Sequence, residues 1–303
     1  MTIIHLKQRL TQFLDPVTLN QQAKCCKFMQ RIRDIQPLQL VTSLIAAFSQ
    51  GNTNSIAELQ RQFNGMQLSE ADFVAYKPFH NQLRKSAFPI FMERLTRMLM
   101  AQLMKQQQGK IPSKFRQFER ILLHDGSSFA IHNHLKDEFP GRFSTVSPAA
   151  VECHVTMSLL EQTPVNMTIA ADTLSEHGFR PAADTLRRQL LLADAGYLDQ
   201  DYYHQIAQHG GYYLVRGKLT LNPTIVEARN GQGRLLPKLA GKKLKDVTRR
   251  DNRSDVLDMI VRSSKLRYRL VRRWFAPEKR FILWMTNLPR DEFNSTDIML
   301  LYR

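Results

Sequence analysis

A short apolar segment that ends on an acid is the feature that most constrains the fold of this chain. Leu190–Ala193 is apolar throughout and is followed by Asp194, a small-residue turn at Ala195-Gly196, and a helical pattern over Leu198–Gln208. An apolar run this short, bounded by turn signals, predicts a buried strand. Asp194 then lies at the carboxyl end of a core strand, where ligands bind in open α/β sheets.

A second segment repeats this arrangement. Ile121–Phe129 is an apolar run that carries Asp125, and Gly126 follows the acid directly. Carboxylates on two core strands are suitable ligands for hard divalent cations, and a pair of bound metals can serve phosphoryl transfer. A second interpretation stays open, because an acid at a strand end also serves as a helix cap or a turn residue.

The pattern around these segments predicts a mixed α/β sheet. Three early strands are followed by two more, with a helix before and after the fourth strand. This is the element order of a ribonuclease H-like fold. The expected strands lie near 119–131, 153–160, 165–171, 190–193 and 211–217, and the expected helices near 180–188 and 198–208.

The first part of the chain, residues 1–115, is predicted to be helical. Apolar residues recur at helical spacing over 37–49, Ser55 is expected to cap the next helix, and Ser69 another. A long amphipathic helix is expected over 88–108. Short helices joined by tight turns in a basic context suit either a helix-turn-helix DNA reader or a plain helical bundle.

The part after the predicted α/β core, 218–288, reads as a basic β-rich region. Strands are expected over 266–275 and 279–285 with a turn between them, and a further strand over 255–262. A capped helix is expected from Ser295 onwards. The expected domains are a helical DNA-binding region at 1–115, an α/β core at 116–217, a β-rich insertion at 218–288, and the start of a final core helix at 289–303.

The charge distribution favours a polyanionic partner. The chain carries 43 Lys and Arg against 27 Asp and Glu, a net charge of +16, and the acids concentrate in residues 121–210. An acidic centre between basic flanks suits a polyanion held by the flanks and a cation in the middle; a basic surface without a partner is the alternative. Trp274 is expected to stack on a DNA base or to lie in the core. The candidate DNA contacts are Lys218, Lys242, Lys243, Lys245, Arg249, Arg250, Arg272, Arg273 and Trp274.

Other classes of protein fit the sequence poorly. There is no apolar run of about eighteen residues, which argues against a membrane span, and no signal-peptide block at the N-terminus. Three cysteines form no disulfide framework, so a cytoplasmic protein is expected. Four histidines suggest a zinc site, but no Cys or acid at ligand spacing completes it. These histidines are His124, His132, His134 and His154.

Five short motifs lie along the chain: Asp125-Gly126-Ser127, Ala193–Tyr197, Tyr213–Lys218, Thr286–Pro289 and Leu301–Arg303. Together they resemble those of the DDE insertion-sequence transposases, in the branch with a β-rich insertion before the last catalytic helix. The resemblance implies a ribonuclease H-like core and two Mg²⁺ ions, with Mn²⁺ as a substitute. It also implies cleavage at the terminal inverted repeats of a transposon, joining to target DNA, and a homodimer on paired ends. By this resemblance, Asp125 and Asp194 match the first two catalytic, metal-binding acids.

The third carboxylate of the family belongs to the motif Tyr-x-x-Arg-x-x-x-Glu-x-x-x-x-x-x-Lys, whose Tyr matches Tyr302. The Glu of that motif would follow Arg303. Asp297 is not expected to replace it, because Asp297 lies about 18 Å before that position along a helix. Glu152 opens the second strand near the core. We therefore expect a truncated transposase that lacks full catalytic activity alone, unless another reading frame or a longer form supplies the rest. The alternative is a DNA-binding protein without catalysis, such as an inhibitor that pairs with full-length transposase.

Overall fold

The structure is a computed structural model that describes residues 14–31, 33–49, 55–106, 112–161, 163–251, 254–263 and 266–302. The chain forms two compact units, Met1–Gln108 and Gly109–Arg303. The predicted turn at Gly51-Asn52 and Arg303 of the last motif lie outside the described residues.

The described residues of the first unit are helical, as the apolar spacing predicts. Asp15 caps the first helix by accepting from Thr18 N at 2.9 Å, and Ser55 caps the third by accepting from Glu58 N at 3.2 Å. Phenylalanines such as Phe63 fill the core between them. The helices are α1 (Pro16–Cys25), α2 (Pro37–Ser49), α3 (Ile56–Gly65), α4 (Tyr76–Leu83) and α5 (Ala87–Gln106).

The helix predicted from Ser69 is corrected by the structure. Ser69 caps only a single 3-10 turn, Glu70–Asp72, and α4 begins later. The Asn64 side chain binds both polar backbone groups of Val74, accepting from its nitrogen at 3.0 Å and donating to its oxygen at 3.2 Å. These bonds occupy the backbone groups of Val74, and Phe73 and Ala75 on either side are extended, so a continuous helix does not form there.

The described part of the second unit contains nine strands: β1 (Ile121–Ala130), β2 (Ala150–Ser158), β3 (Thr163–Ala171), β4 (Leu190–Ala193), β5 (Tyr212–Gly217), β6 (Thr224–Asn230), β7 (Val256–Ser263), β8 (Leu266–Phe275) and β9 (Arg280–Thr286). They form one sheet in the order β3-β2-β1-β4-β5-β9-β8-β7-β6. β1, β2 and β3 are an antiparallel meander, and β4 and β5 add to β1 in parallel. This arrangement confirms the predicted ribonuclease H-like mixed sheet.

The central strand β4 is buried on both faces, which explains its unbroken apolar sequence. Leu191 and Ala193 contribute to a core with α6 (Gln200–Gln208) on one face of the sheet. Leu190 and Leu192 contribute to a second core with α7 (Ser295–Leu301) on the other face. Both helices therefore hold β4 in place, and the residue after it emerges from a rigid support.

The helix predicted over 180–188 is wrong. The structure has only one 3-10 turn there, Ala183–Leu186. Arg187 forms a β-bridge with Gly211, while Arg188 N donates to Gly210 O at 2.9 Å. The backbone groups of Arg187 and Arg188 bond to the segment before β5, so they are not available for the hydrogen bonds of a helix.

Residues 218–288 continue the same sheet beyond β5. β9 pairs with β5, so the later strands extend the core sheet outward to β6. β6 has no counterpart among the strands expected from sequence, although Thr224–Asn230 is followed by the turn residue Gly231. No helix among the described residues is both long and apolar enough to span a bilayer.

Candidate active site

The two strand-borne acids, Asp125 and Asp194, are neighbours across the sheet. β1 and β4 are parallel, with His124 opposite Ala193, so the next residue on each strand is one of the acids. Neighbouring strands lie about 4.8 Å apart. Both acids are exposed, and both alternate to the face opposite that of His124 and Ala193. The structure therefore presents two solvent-accessible carboxylates side by side.

Asp194 is in contact with the end of α7 and with β5. The Tyr302 hydroxyl lies 3.1 Å from Asp194 Oδ1 and 3.1 Å from Ala193 O. Burial, and then the charge of Asp194, raises the pKa of Tyr302, so the phenol stays protonated and donates. Arg216 Nη1 is 3.9 Å from Asp194 Oδ1. Sequence reasoning missed Arg216 as a neighbour of this acid.

Asp125 is oriented by the glycine that follows it. Gly126 N donates to Asp125 Oδ1 at 2.9 Å. A β-carbon at Gly126 would lie 2.5 Å from Glu152 Oε1 and 2.7 Å from the Tyr197 hydroxyl. The backbone beside Asp125 is therefore packed against two polar side chains, which a larger residue would displace.

The face of the sheet behind the acids carries buried histidines. His124 Nδ1 is 2.8 Å from Thr156 Oγ1, and burial lowers the pKa of His124 to about 4. His154 Nδ1 is 3.3 Å from the Tyr197 hydroxyl, and its ring stacks on Phe179. Burial also lowers the pKa of His154. Both imidazoles are therefore uncharged near neutral pH and belong to a packed interior.

The other two histidines proposed for zinc, His132 and His134, stack on each other at 4.8 Å. They lie in the turn after β1, away from the buried pair on the sheet. Within the described ranges, no group of three or more His, Cys, Asp or Glu side chains is arranged to hold a metal ion.

The two exposed acids suit a hard cation whose coordination is completed from outside this pair. Mg²⁺ is commonly held by one or two carboxylates, with waters and substrate phosphates as its other ligands. Asp125 and Asp194 supply such carboxylates, because both are exposed and adjacent. Asp297 does not join them: it is buried in the capping box of α7 with Asn294 and forms an ion pair with Lys114.

Most of the candidate DNA contacts are exposed. Lys242 forms an ion pair with Asp251 at 3.2 Å, and Arg249 lies 3.5 Å from Asp255. The others carry their charge into solvent on the loops after β5 and β6. These exposed residues are Lys218, Lys243, Lys245 and Arg250.

Arg272 and Trp274 differ from the simple expectation of a DNA-facing pair. Arg272 is buried, donates to Val247 O at 2.8 Å, and stacks on Phe281. It therefore holds the loop after β6 instead of facing a phosphate, and burial lowers its pKa to about 10. Trp274 is half-buried against Phe281, with the Arg249 guanidinium 5.0 Å above its ring, and Arg273 is also half-buried.

Behind the acids, one arginine binds two glutamates. Arg142 Nη2 lies 3.2 Å from Glu152 Oε2, and Arg142 Nη1 lies 3.3 Å from Glu176 Oε1. Sequence reasoning noted Glu152 near the core but gave no role to Arg142 or Glu176. No local pattern marks them, since Arg142 and Glu176 are 34 residues apart.

Comparison with known proteins gives one family and several relatives. The family described as "Transposase DDE domain" matches residues 116–303. The transposase for insertion sequence element IS231B from Bacillus thuringiensis subsp. berliner is 23% identical over 231 residues, covering 74% of this chain and 48% of the relative. The transposase for insertion sequence element IS1151 from Clostridium perfringens is 20% identical over 220 residues, covering 71% of this chain and 45% of the relative.

The chain spans about half the length of both curated relatives. Among solved structures, the cryo-EM structure of a piggyBac transposase synaptic complex with hairpin DNA aligns with 99% of this chain and 64% of its own. That alignment has a TM-score of 0.40 and 10% sequence identity. The family match agrees with the resemblance found in the sequence motifs.

Proposed function

Because the chain belongs to the transposase DDE domain family, we propose that it performs metal-dependent phosphoryl transfer in an insertion-sequence transposase. The reaction cuts transposon ends and joins them to target DNA. The observation that supports this most directly is the parallel register of β1 and β4, which makes Asp125 and Asp194 neighbours. Two exposed acids, one on β1 and one directly after β4, can supply carboxylate ligands for such chemistry.

Asp125 and Asp194 would hold Mg²⁺, or Mn²⁺ in its place, through their carboxylate oxygens. When bound, a pair of such ions activates the attacking oxygen and stabilises the leaving oxygen of the phosphodiester. The protein's part is orientation. Gly126 N fixes one carboxylate oxygen of Asp125, and the Tyr302 hydroxyl fixes one of Asp194.

Tyr302 also supports α7 as the element that leads to the third carboxylate. The resemblance assigns that acid to the motif that begins with the Tyr matched by Tyr302. Its hydroxyl lies against Asp194, so the carboxyl end of α7 reaches that acid. In this proposal, Asp125 and Asp194 supply two carboxylates of the site.

The proposed substrate is double-stranded DNA at the transposon ends and at the target. Exposed basic side chains on the loops after β5 and β6, such as Lys218 and Lys243, would contact DNA phosphates. Arg272 is left out of this surface, because it is buried. By the same resemblance, a homodimer would hold two transposon ends together.

Metal binding by the full chain tests the proposal. Mn²⁺ can be titrated into wild-type protein and the free ion followed by electron paramagnetic resonance. We expect Asp125→Asn and Asp194→Asn each to weaken binding roughly tenfold or more, since each removes a charged ligand. Asp184→Asn, at an exposed acid in the 3-10 turn before β4, is the control and should bind as wild type. Equal affinity in all four proteins would contradict the proposal and favour DNA binding without chemistry.

A further inference from the structure

We propose that Arg142 is a positioning residue for Asp125 and Asp194, and that it acts through Glu152 and Glu176. This inference rests on the proposed function, because it assigns a role relative to those two acids. The Arg142 guanidinium binds one glutamate with each terminal nitrogen. Each glutamate in turn contacts a glycine that follows one of the acids in sequence.

The first connection runs from Glu152 to Gly126, the residue after Asp125. The carboxylate of Glu152 occupies the space that a β-carbon at Gly126 would need, 2.5 Å from its Oε1. The Glu152 side chain is 5% exposed and is held by Arg142, so it has little room to move aside. Gly126 N donates to Asp125 Oδ1, so a shift of this peptide would turn the carboxylate.

The second connection runs from Glu176 to Gly196, two residues after Asp194. The Oε2 atom of Glu176 lies where a β-carbon at Gly196 would need space. The distance between those two atoms would be shorter than real β-carbon contacts show. Gly196 lies in the turn that Asp194 opens, closed by Tyr197 N donating to Asp194 O at 3.1 Å. The Glu176 side chain is 23% exposed, so this contact is easier to displace than the first.

A lack of space for a side chain explains why glycine occupies positions 126 and 196. Neither Gly126 nor Gly196 has the positive φ that favours glycine on backbone grounds. In each case a carboxylate bound to Arg142 takes the volume of the absent side chain. Gly126 and Gly196 thus pack against two carboxylates that are bound by the same arginine, Arg142.

Arg142 itself is fixed by a third acid, Asp172, which follows β3. Arg142 N donates to Asp172 Oδ2 at 2.8 Å, and Arg142 Nη2 donates to Asp172 O at 3.0 Å. The Ser128 hydroxyl on β1 donates to the other carboxylate oxygen of Asp172. This hydrogen bond lowers the pKa of Asp172 and keeps the carboxylate charged. Both the backbone and the guanidinium of Arg142 are therefore anchored to the sheet.

Replacement of Arg142 tests the proposal in the full chain. Arg142→Met should weaken Mn²⁺ binding about tenfold, the scale observed when a residue that orients metal ligands is lost. Arg120→Met is a matched control, because the Arg120 side chain is 42% exposed against 44% for Arg142, and it pairs with Glu161 alone among the acids in the described ranges. The control should bind Mn²⁺ as wild type. Wild-type affinity in Arg142→Met would overturn the proposal.

A glycine variant and its matched control separate positioning from stability. Gly126→Ala should also weaken Mn²⁺ binding, because the new methyl group meets Glu152 Oε1 and the Tyr197 hydroxyl. Gly65→Ala is the control, since a β-carbon there meets nothing within 4 Å, and it should bind Mn²⁺ as wild type. Thermal unfolding is recorded for each protein. If Arg142→Met unfolds at the assay temperature, this pair decides: weaker binding in Gly126→Ala than in Gly65→Ala supports the proposal, and equal binding overturns it.

Failure of this inference and failure of the proposed function give different results. If Asp125→Asn and Asp194→Asn lose Mn²⁺ binding while Arg142→Met keeps it, only the role of Arg142 falls. If all three variants keep wild-type affinity, the two acids are not the metal ligands. In that case the proposed function falls as well.

Discussion

Two charged networks in the second unit differ in their balance of charge. In the Arg142 network, one arginine binds three acids: two through its guanidinium and the third, Asp172, through its backbone nitrogen. In the Arg269 network, three guanidinium groups face two carboxylates. The first network lies beside the proposed metal ligands, and the second lies in the strands after β5. The members are Arg142, Glu152, Asp172 and Glu176 in the first, and Arg229, Arg269, Arg290, Asp258 and Glu227 in the second.

The centre of the Arg269 network is a buried ion pair. Arg269 binds Asp258 through two parallel bonds, Nε to Oδ1 at 3.0 Å and Nη2 to Oδ2 at 2.7 Å. Their side chains are 3% and 6% exposed. Arg269 Nη1 also donates to Leu288 O at 2.9 Å, and Arg290 reaches both Asp258 and Glu227. Strands β6, β7 and β8 are thereby joined to the segment that leads into α7.

The difference teaches which network serves structure and which serves the proposed chemistry. The buried Arg269–Asp258 pair has matched charges and satisfied hydrogen bonds, so it needs no added ion to balance its charge. The Arg142 network has more negative charge than its arginine balances, and Asp125 adds to it. Burial of the carboxylate, and then repulsion from Glu176, raises the pKa of Glu152. Excess negative charge near the two acids favours the arrival of a cation.

Loss of Arg269 is expected to have the largest effect on stability. Arg269→Met leaves the Asp258 carboxylate buried beside only Arg290, and breaking such a pair costs about 3–5 kcal/mol. Denaturant unfolding of the full chain measures the change in the free energy of unfolding. Arg267→Met, at an exposed residue of the same strand, is the control and should change it little. A loss in Arg269→Met no larger than in this control would remove the structural role of the network.

Tyr302→Phe is expected to have a smaller effect at the boundary between the acids and α7. The change removes the hydroxyl that lies 3.1 Å from Asp194 Oδ1 and Ala193 O. A hydrogen bond of this kind contributes about 1 kcal/mol. The ring still packs near Trp284, so the fold should persist. Denaturant unfolding gives the loss, and a cost equal to that of Arg269→Met would mean that α7 depends on this contact far more than its geometry indicates.

Glu152→Gln should lower the free energy of unfolding least of these three variants, and its effect should depend on pH. Because the folded pKa of Glu152 is raised above its ordinary value of 4.5, the folded state favours the protonated carboxyl. That contribution to stability is present below 4.5 and is lost as pH rises through the folded pKa. An amide has no such loss, so the variant should gain on wild type as pH rises.

The measurement is denaturant unfolding of wild type and Glu152→Gln from pH 4 to pH 8, without divalent cations. Asp258→Asn is the comparison, because it removes a buried carboxylate from the Arg269 network and should lose stability at neutral pH. A loss in Glu152→Gln as large as in Asp258→Asn would erase the distinction between the two networks.

Local patterns in the sequence predicted most elements of the sheet and several caps. The apolar run of β4, the alternation of β8 and β9 and the Ser55 cap are all observed. The predicted helix over 180–188 is wrong, because sheet neighbours take the backbone bonds of Arg187 and Arg188. Arg272 was a candidate DNA contact, yet it is buried between Val247 O and the Phe281 ring.

The sequence by itself determined which segments become strands and where an acid follows or interrupts one of them. Those features depend on side-chain period and turn residues within a few positions, which are local. Only the tertiary structure decided that Asp125 and Asp194 are neighbours, and that Arg142 reaches both of their glycines through two glutamates. Such contacts join residues far apart in the chain, and their geometry is set by strand register and by which side chains share a buried space.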